Sequence, residues 1–272
     1  MATRIFMTGI TGYIGGQALA TLIAKHPEHT IIGLVRTEEK KQQILARHPS
    51  LEVIIGDLDS DQILIEESKK ADIVISKSPP PFLDTQKVIT QDTADADHLG
   101  AINSLLTGLS SGKKGTYLHL SGAGSVFDHS LGYGKFSPKI WDDIEDLTAI
   151  TTFRQPVFHA KADRLVLDLG KKLKIRTAIL EPPMVYGNSD SLSDRSISLP
   201  LLVDVAKARG KMFQVGEAGG DVLTEAEALE VHPWALVVFA TNMRTRASRL
   251  RALGWVPKQP GLIETVSGLF KR

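Results

Sequence analysis

Four residues into the chain stands Ile5-Phe6-Met7-Thr8-Gly9-Ile10-Thr11-Gly12-Tyr13-Ile14-Gly15-Gly16, an apolar run that breaks into glycines. It resumes as Gln17-Ala18-Leu19-Ala20-Thr21-Leu22-Ile23, with apolar residues at helical spacing. The pattern predicts a strand, a tight turn and a helix. Gly9 can take the positive φ of the turn, Gly12 lets backbone N–H groups approach a pyrophosphate, and Gly15 lets the helix pack closely on the strand. The helix N-terminus would then turn its partial positive charge toward the phosphates.

The next apolar run, His29-Thr30-Ile31-Ile32-Gly33-Leu34-Val35, ends in Arg36. That is about twenty residues past the last glycine, where a dinucleotide-binding βαβ unit makes its ribose contact. An acid at this position favours NAD, whereas a guanidinium can fork onto a 2′-phosphate, so the residues favour NADP over NAD. The other reading of Arg36 is a solvated strand end.

Strand patterns recur at 51–55, 72–76, 115–120 and 175–180, separated by helical patterns at 38–48, 62–70, about 95–109 and 157–167. Such alternation predicts an α/β fold, a doubly wound parallel sheet with right-handed crossovers. Residues 1–187 read as the dinucleotide-binding domain and 188–272 as a reduced C-terminal substrate lobe packed on it. In that lobe, 199–209 reads as an amphipathic helix, 212–216 as a short strand, and 243–253 as a basic helix whose arginines face solvent.

A net charge of +1 gives no reason to expect nucleic acid or a membrane surface as partner. The absence of cysteine excludes disulfides, thiolate catalysis and Cys-based zinc. No apolar run reaches transmembrane length, and Met-Ala-Thr-Arg leads straight into the first strand without a signal peptide. The expectation is a cytoplasmic protein, monomer or homodimer, whose partner is a small-molecule substrate.

Thr8-Gly9-Ile10-Thr11-Gly12-Tyr13-Ile14-Gly15 resembles the T-G-x-x-G-x-x-G signature of the extended short-chain dehydrogenases/reductases, the NAD-dependent epimerase/dehydratase type. Gly56-Asp57-Leu58, Ala71-Asp72-Ile73-Val74-Ile75, Pro182-Pro183-Met184-Val185-Tyr186-Gly187 and Leu253-Gly254-Trp255-Val256-Pro257 resemble later landmarks of the family, in the family's order. The resemblance implies a Rossmann fold holding NADP or NAD through Thr8, Gly9, Thr11, Gly12, Tyr13, Ile14, Gly15, Arg36, Asp57, Leu58, Lys161 and Pro183. Asp57 would meet the adenine amine; its other reading is a cap for the following helix.

The chain departs from the family where catalysis is expected. The family's Y-x-x-x-K sets a phenol and an ammonium one helical turn apart, the lysine lowering the phenol pKa and holding the cofactor ribose. Here Val157 stands four residues before Lys161, and the alternative register puts Gln155 and His159 in the two places. Ala123 falls on the family's Ser/Thr position, flanked by Ser121 and Ser125. The loop Lys77-Ser78-Pro79-Pro80-Pro81-Phe82 is stiff and poor in donors, and Gly219-Gly220 leads directly to Asp221, where the family carries a further strand and helix. Ser121, Ser125, His159, Lys161 and Tyr186 are the remaining candidates for catalysis, with Tyr133 a further proton donor. Two readings stand: an NADP-dependent oxidoreductase on a small carbonyl or hydroxyl substrate, and a non-catalytic dinucleotide-binding sensor, scaffold or subunit.

Overall fold

A computed structural model describes residues 2–77, 97–128, 130–152, 158–194, 196, 198–211, 214–215, 222–231 and 235–261. Ser78, the three prolines and Phe82 lie outside these residues, as do Gln155, Val157 and the Gly219-Gly220 junction.

The first part of the chain alternates strand and helix: β1 Arg4–Met7, α1 Tyr13–Lys25, β2 Thr30–Val35, α2 Glu38–Arg47, β3 Glu52–Ile55, α3 Asp61–Lys70, β4 Ile73–Lys77, α4 Leu99–Ser111 and β5 Thr116–Leu120. There follow β6 Trp141–Asp142, α5 Leu147–Thr152, α6 Ala160–Leu173, β7 Arg176–Leu180, α7 Ser198–Arg209, β8 Gln214–Val215, β9 Val222–Leu223, α8 Glu225–Val231, α9 Ala235–Phe239, β10 Thr245–Arg246 and α10 Ser248–Ala252. The chain divides into two compact units, the first comprising Met1–Gly122, His159–Pro182 and Asn188–Arg195, the second Ala123–Phe158, Pro183–Gly187 and Ser196–Arg272.

The first unit is a six-stranded parallel sheet in the order β3-β2-β1-β4-β5-β7. The order reverses between β1 and β4, the topological switch point outside which open α/β sheets hold their ligands. Period-2 alternation sends successive side chains of one strand into different cores. Phe6, Ile32, Leu34, Val74 and Tyr117 join Leu64 of α3, Ile102, Leu105, Leu106 and Leu109 of α4, and Ala162 and Val166 of α6. Ile5, Met7, Ile31 and Val35 join Leu19 of α1 and Ile44 of α2. Helices thus cover both faces, as near-continuous apolar strands require.

The second unit has a smaller core of Leu223, Ala228, Ala235, Leu236 and Ala240, against which Tyr133 and Leu202 pack. It also corrects one expectation: the basic stretch 243–253 is helical only over Ser248–Ala252. Thr245 and Arg246 are extended instead and pair in parallel with Trp141 and Asp142. Asp142 and Asp143 hold this arrangement: Asp142 Oδ2 accepts from the Ser248 hydroxyl at 2.5 Å and Asp143 Oδ1 from the Arg249 N–H at 2.9 Å. Tertiary hydrogen bonds and charge override the helical pattern of the arginines.

Candidate functional site

The turn after β1 is shaped by its glycines. Gly9 adopts φ +68°, a left-handed conformation that a Cβ disfavours. Gly12 is the extended N-cap of α1, at φ −82° and ψ 162°, and offers no side-chain cap of its own. The contrast with α2 is informative: there Thr37 caps the helix by accepting from the Lys40 N–H, and Glu38 and Glu39 fill the first turn. The first turn of α1 carries no acidic residue. A helix start with a glycine N-cap and no carboxylate in its first turn suits a pyrophosphate, which would meet backbone donors and the positive end of the dipole. Thr8 and Thr11 are buried beside it, and the Tyr13 phenol is raised in pKa by its burial.

Gly15 and Gly16 are both buried, but Gly16 shows why a side chain is excluded. A Cβ there would lie 2.2 Å from Ser191 Cβ and 2.9 Å from the Ile10 carbonyl oxygen. The 189–191 loop is held to α1 and α2 by further contacts: the Ser189 hydroxyl donates to the Tyr13 carbonyl of α1 at 2.9 Å, and Arg47 Nη1 of α2 donates to the Ser191 carbonyl at 2.7 Å.

Arg36 follows β2 directly and is exposed. Asp57, beyond β3, is also exposed; its Oδ1 accepts from the Ser60 hydroxyl at 2.7 Å and the Asp59 N–H at 3.1 Å. Chiefly the Ser60 bond holds the Asp57 carboxyl below the usual range. The N-cap of α3 is Ser60 rather than Asp57. Asp57 therefore orders the turn leading into that helix without being its N-cap. Leu58 packs against the core on the α3 and α4 face.

At the C-terminal end of β5 the first unit gathers a polar cluster. His159 is the N-cap of α6, in a left-handed conformation (φ 66°), and its Nδ1 lies 3.2 Å from both carboxylate oxygens of Asp97. Its side chain is 10% exposed. Its Nε2 lies over Gly122, where an added Cβ would stand 3.1 Å away. Burial pushes the His159 pKa down, but the hydrogen bond and charge of Asp97, aided by Asp163 and Glu181, outweigh it and leave the pKa raised.

Beneath this dyad lie side chains that the sequence reading did not single out. Tyr117 and His119 point the same way from β5, and Asp163 faces inward from α6; all three are fully buried. The Ser121 hydroxyl donates to Asp163 Oδ2 at 2.9 Å, and Tyr117 Oη stands 3.4 Å from His119 Nδ1. Desolvation dominates both ionisable groups: the Asp163 carboxyl is raised to about 7 and the His119 imidazole lowered to about 4. The signal was present in spacing, since Asp163, Val166 and Gly170 form one buried stripe of α6.

The candidates divide between the units. Ser121, His159 and Lys161 belong to the first, together with the glycine turn, Arg36 and Asp57. Lys161 is exposed in the first turn of α6. Ser125, Tyr133, Pro183 and Tyr186 belong to the second, as does Ala123 at the family's Ser/Thr position. Ser125 is buried, Pro183 exposed and Tyr186 half-buried.

Residues 9–105, which span the glycine turn, Arg36, Asp57 and most of α4, match a family model described as NAD(P)H-binding. The chain is 31% identical over 225 residues to the oxidase ucsJ of an Acremonium species, an alignment covering 79% of this chain and 60% of that protein. It thus spans about three fifths of that curated relative's length. Among solved structures, UDP-glucuronic acid 4-epimerase from Bacillus cereus, in complex with UDP-glucuronic acid and NAD, superposes with TM-score 0.62 at 14% identity over 98% of each chain. Vestitone reductase from alfalfa (Medicago sativa) superposes with TM-score 0.58 at 14% identity, over 99% of this chain and 96% of that one. Among the described residues no helix is long and apolar enough to cross a membrane. Residues 9–105 thus form an NAD(P)H-binding domain, suited to a nicotinamide dinucleotide, and the chain has the Rossmann-like fold of those two solved structures.

Proposed function

We propose that this chain is an NADP-preferring oxidoreductase acting on a small carbonyl or hydroxyl substrate, with His159, held by Asp97, as its proton donor and acceptor. The observation that carries the proposal is the Asp97–His159 pair at 3.2 Å, within the unit that holds the dinucleotide turn. The bound dinucleotide supplies or removes a hydride. A proton must move with it, to or from the substrate oxygen, and this is the part the chain's own side chains perform. Asp97 receives Nδ1–H, so that Nε2 is the exchanging nitrogen, and its charge favours the imidazolium. Gly122 leaves room for the ring at that nitrogen. Beneath, Ser121 and Asp163 close the cluster against the core and exclude water.

NADP preference rests on Arg36, whose guanidinium follows β2 and is exposed. A redox role is also in keeping with the Acremonium relative being named an oxidase. The test is calorimetric titration with NADPH and NADH, followed by turnover against a broad panel of carbonyl compounds and nucleotide sugars. Tighter NADPH binding and turnover that depends on His159 support the reading. Binding without turnover on any member of the panel, with Val157→Tyr or Gln155→Tyr gaining activity, replaces it with a degenerate site whose dinucleotide serves sensing or structure.

A further inference from the structure

We propose that the turn between α1 and β2 binds a divalent transition cation, zinc foremost, through His26, Glu28 and His29. These three offer ligand atoms that all lie within 4.8 Å of one another. His26 Nδ1 stands 3.4 Å and His29 Nδ1 3.6 Å from the same Glu28 oxygen, Oε1. Ligands held about 2.0–2.1 Å from a tetrahedral zinc lie about 3.4 Å apart, so the spacing is near that of a coordination edge.

The backbone fixes this arrangement locally. His26 caps the C-terminal end of α1, its N–H donating to Leu22 at 2.8 Å, and the His29 N–H donates to the His26 carbonyl at 3.1 Å. That bond closes a four-residue turn with Pro27 at its second position, where the ring presets φ. His26 and His29 are thereby brought to the same side, their rings stacked at 5.4 Å and 11°. His29 Nδ1 is buried and makes no hydrogen bond among the described residues, which is costly for a polar nitrogen left without a ligand. The His26 side chain is 52% exposed and can turn its lone pair onto an ion beside His29. The negative end of the α1 dipole favours a cation here.

Two imidazoles and one carboxylate suit zinc, copper(II) or nickel(II) and are poor ligands for magnesium. Three protein ligands leave a fourth position for water. The site is independent of the proposed oxidoreduction, since none of its residues belongs to the dinucleotide turn or to the His159 cluster.

The test is calorimetric titration of the tag-free chain with zinc chloride, with magnesium chloride as the control. The expected result is one zinc per chain, no magnesium binding, and affinity at least about tenfold lower in Glu28→Gln and in the double variant His26→Asn/His29→Asn. NADPH affinity should be unchanged in both. Cobalt(II) added to the unaltered chain should give the intense visible absorption of a four-coordinate site, a readout independent of how well the variants fold. No saturable zinc binding, zinc binding unchanged in the double variant, or only weak six-coordinate cobalt absorption would overturn the proposal.

Discussion

His119 Nε2 faces Asp163 Oδ1 at 3.7 Å with both side chains fully buried, and neither atom makes a hydrogen bond among the described residues. Asp163 keeps its proton to about pH 7, whereas an unfolded aspartate releases it near about 3.9; its contribution to stability is greatest at low pH and is lost as pH rises between those values. His119 stays neutral down to about 4, against about 6.5 when unfolded, so its contribution is lost as pH falls through that window. From about pH 4 to 6.5 the two slopes oppose and nearly cancel. Denaturant unfolding across this range should show the cancellation lifted by either substitution. Relative to the unaltered chain, Asp163→Asn should lose stability as pH falls and His119→Gln as pH rises, each by up to about 1.4 kcal/mol per pH unit. Parallel curves for all three proteins would show that folding shifts neither pKa.

Gly16→Ala should destabilise the chain by about 1–3 kcal/mol, although the same change in an exposed helix interior gains about 1 kcal/mol. The cause is the 2.2 Å approach of the new methyl to Ser191 Cβ. Thermal unfolding measures it, and Ser191→Gly in the same chain should recover part of the loss. A gain in stability for the single variant would mean that the 189–191 loop does not press on α1.

Arg36→Asp should weaken NADPH binding and leave NADH binding equal or tighter, reversing the preference by about tenfold or more if the guanidinium meets the 2′-phosphate. Equal losses for both dinucleotides would assign Arg36 to something other than that contact.

His159 carries non-glycine backbone strain at φ 66° in the polar cluster, a combination common at functional positions. Asparagine tolerates this conformation, so His159→Asn should keep the turn and lose only the pairing with Asp97, about 1–3 kcal/mol. Turnover should fall by about 10²–10⁴ while NADPH affinity holds. A larger loss of stability would make the histidine a structural residue.

The dinucleotide end of the fold was legible because its signals are local. Gly9 and Gly12 sit in one short turn, and the buried strands β1, β2 and β4 alternate with amphipathic helices. What escaped the sequence depends on residues distant in the chain. Asp97 and His159 are 62 positions apart, and Ser121 and Asp163 are 42 apart, so no window along the chain pairs them. Gly16 looked like one more glycine until Ser191 arrived beside it. The arginines of 243–253 carried a helical pattern, but Asp142 and Asp143, more than a hundred residues upstream, decided where the helix begins.

The most direct test of the account is the pH dependence of NADPH consumption by the unaltered chain and by His159→Gln, on whichever carbonyl substrate the panel yields. With Asp97 holding the imidazole pKa above its ordinary 6.5, reduction should proceed at neutral pH and fall as pH rises through that raised value. In His159→Gln that limb should vanish together with about 10²–10⁴ of the rate, NADPH affinity being unchanged. Equal rates and the same pH profile in both proteins would contradict the account.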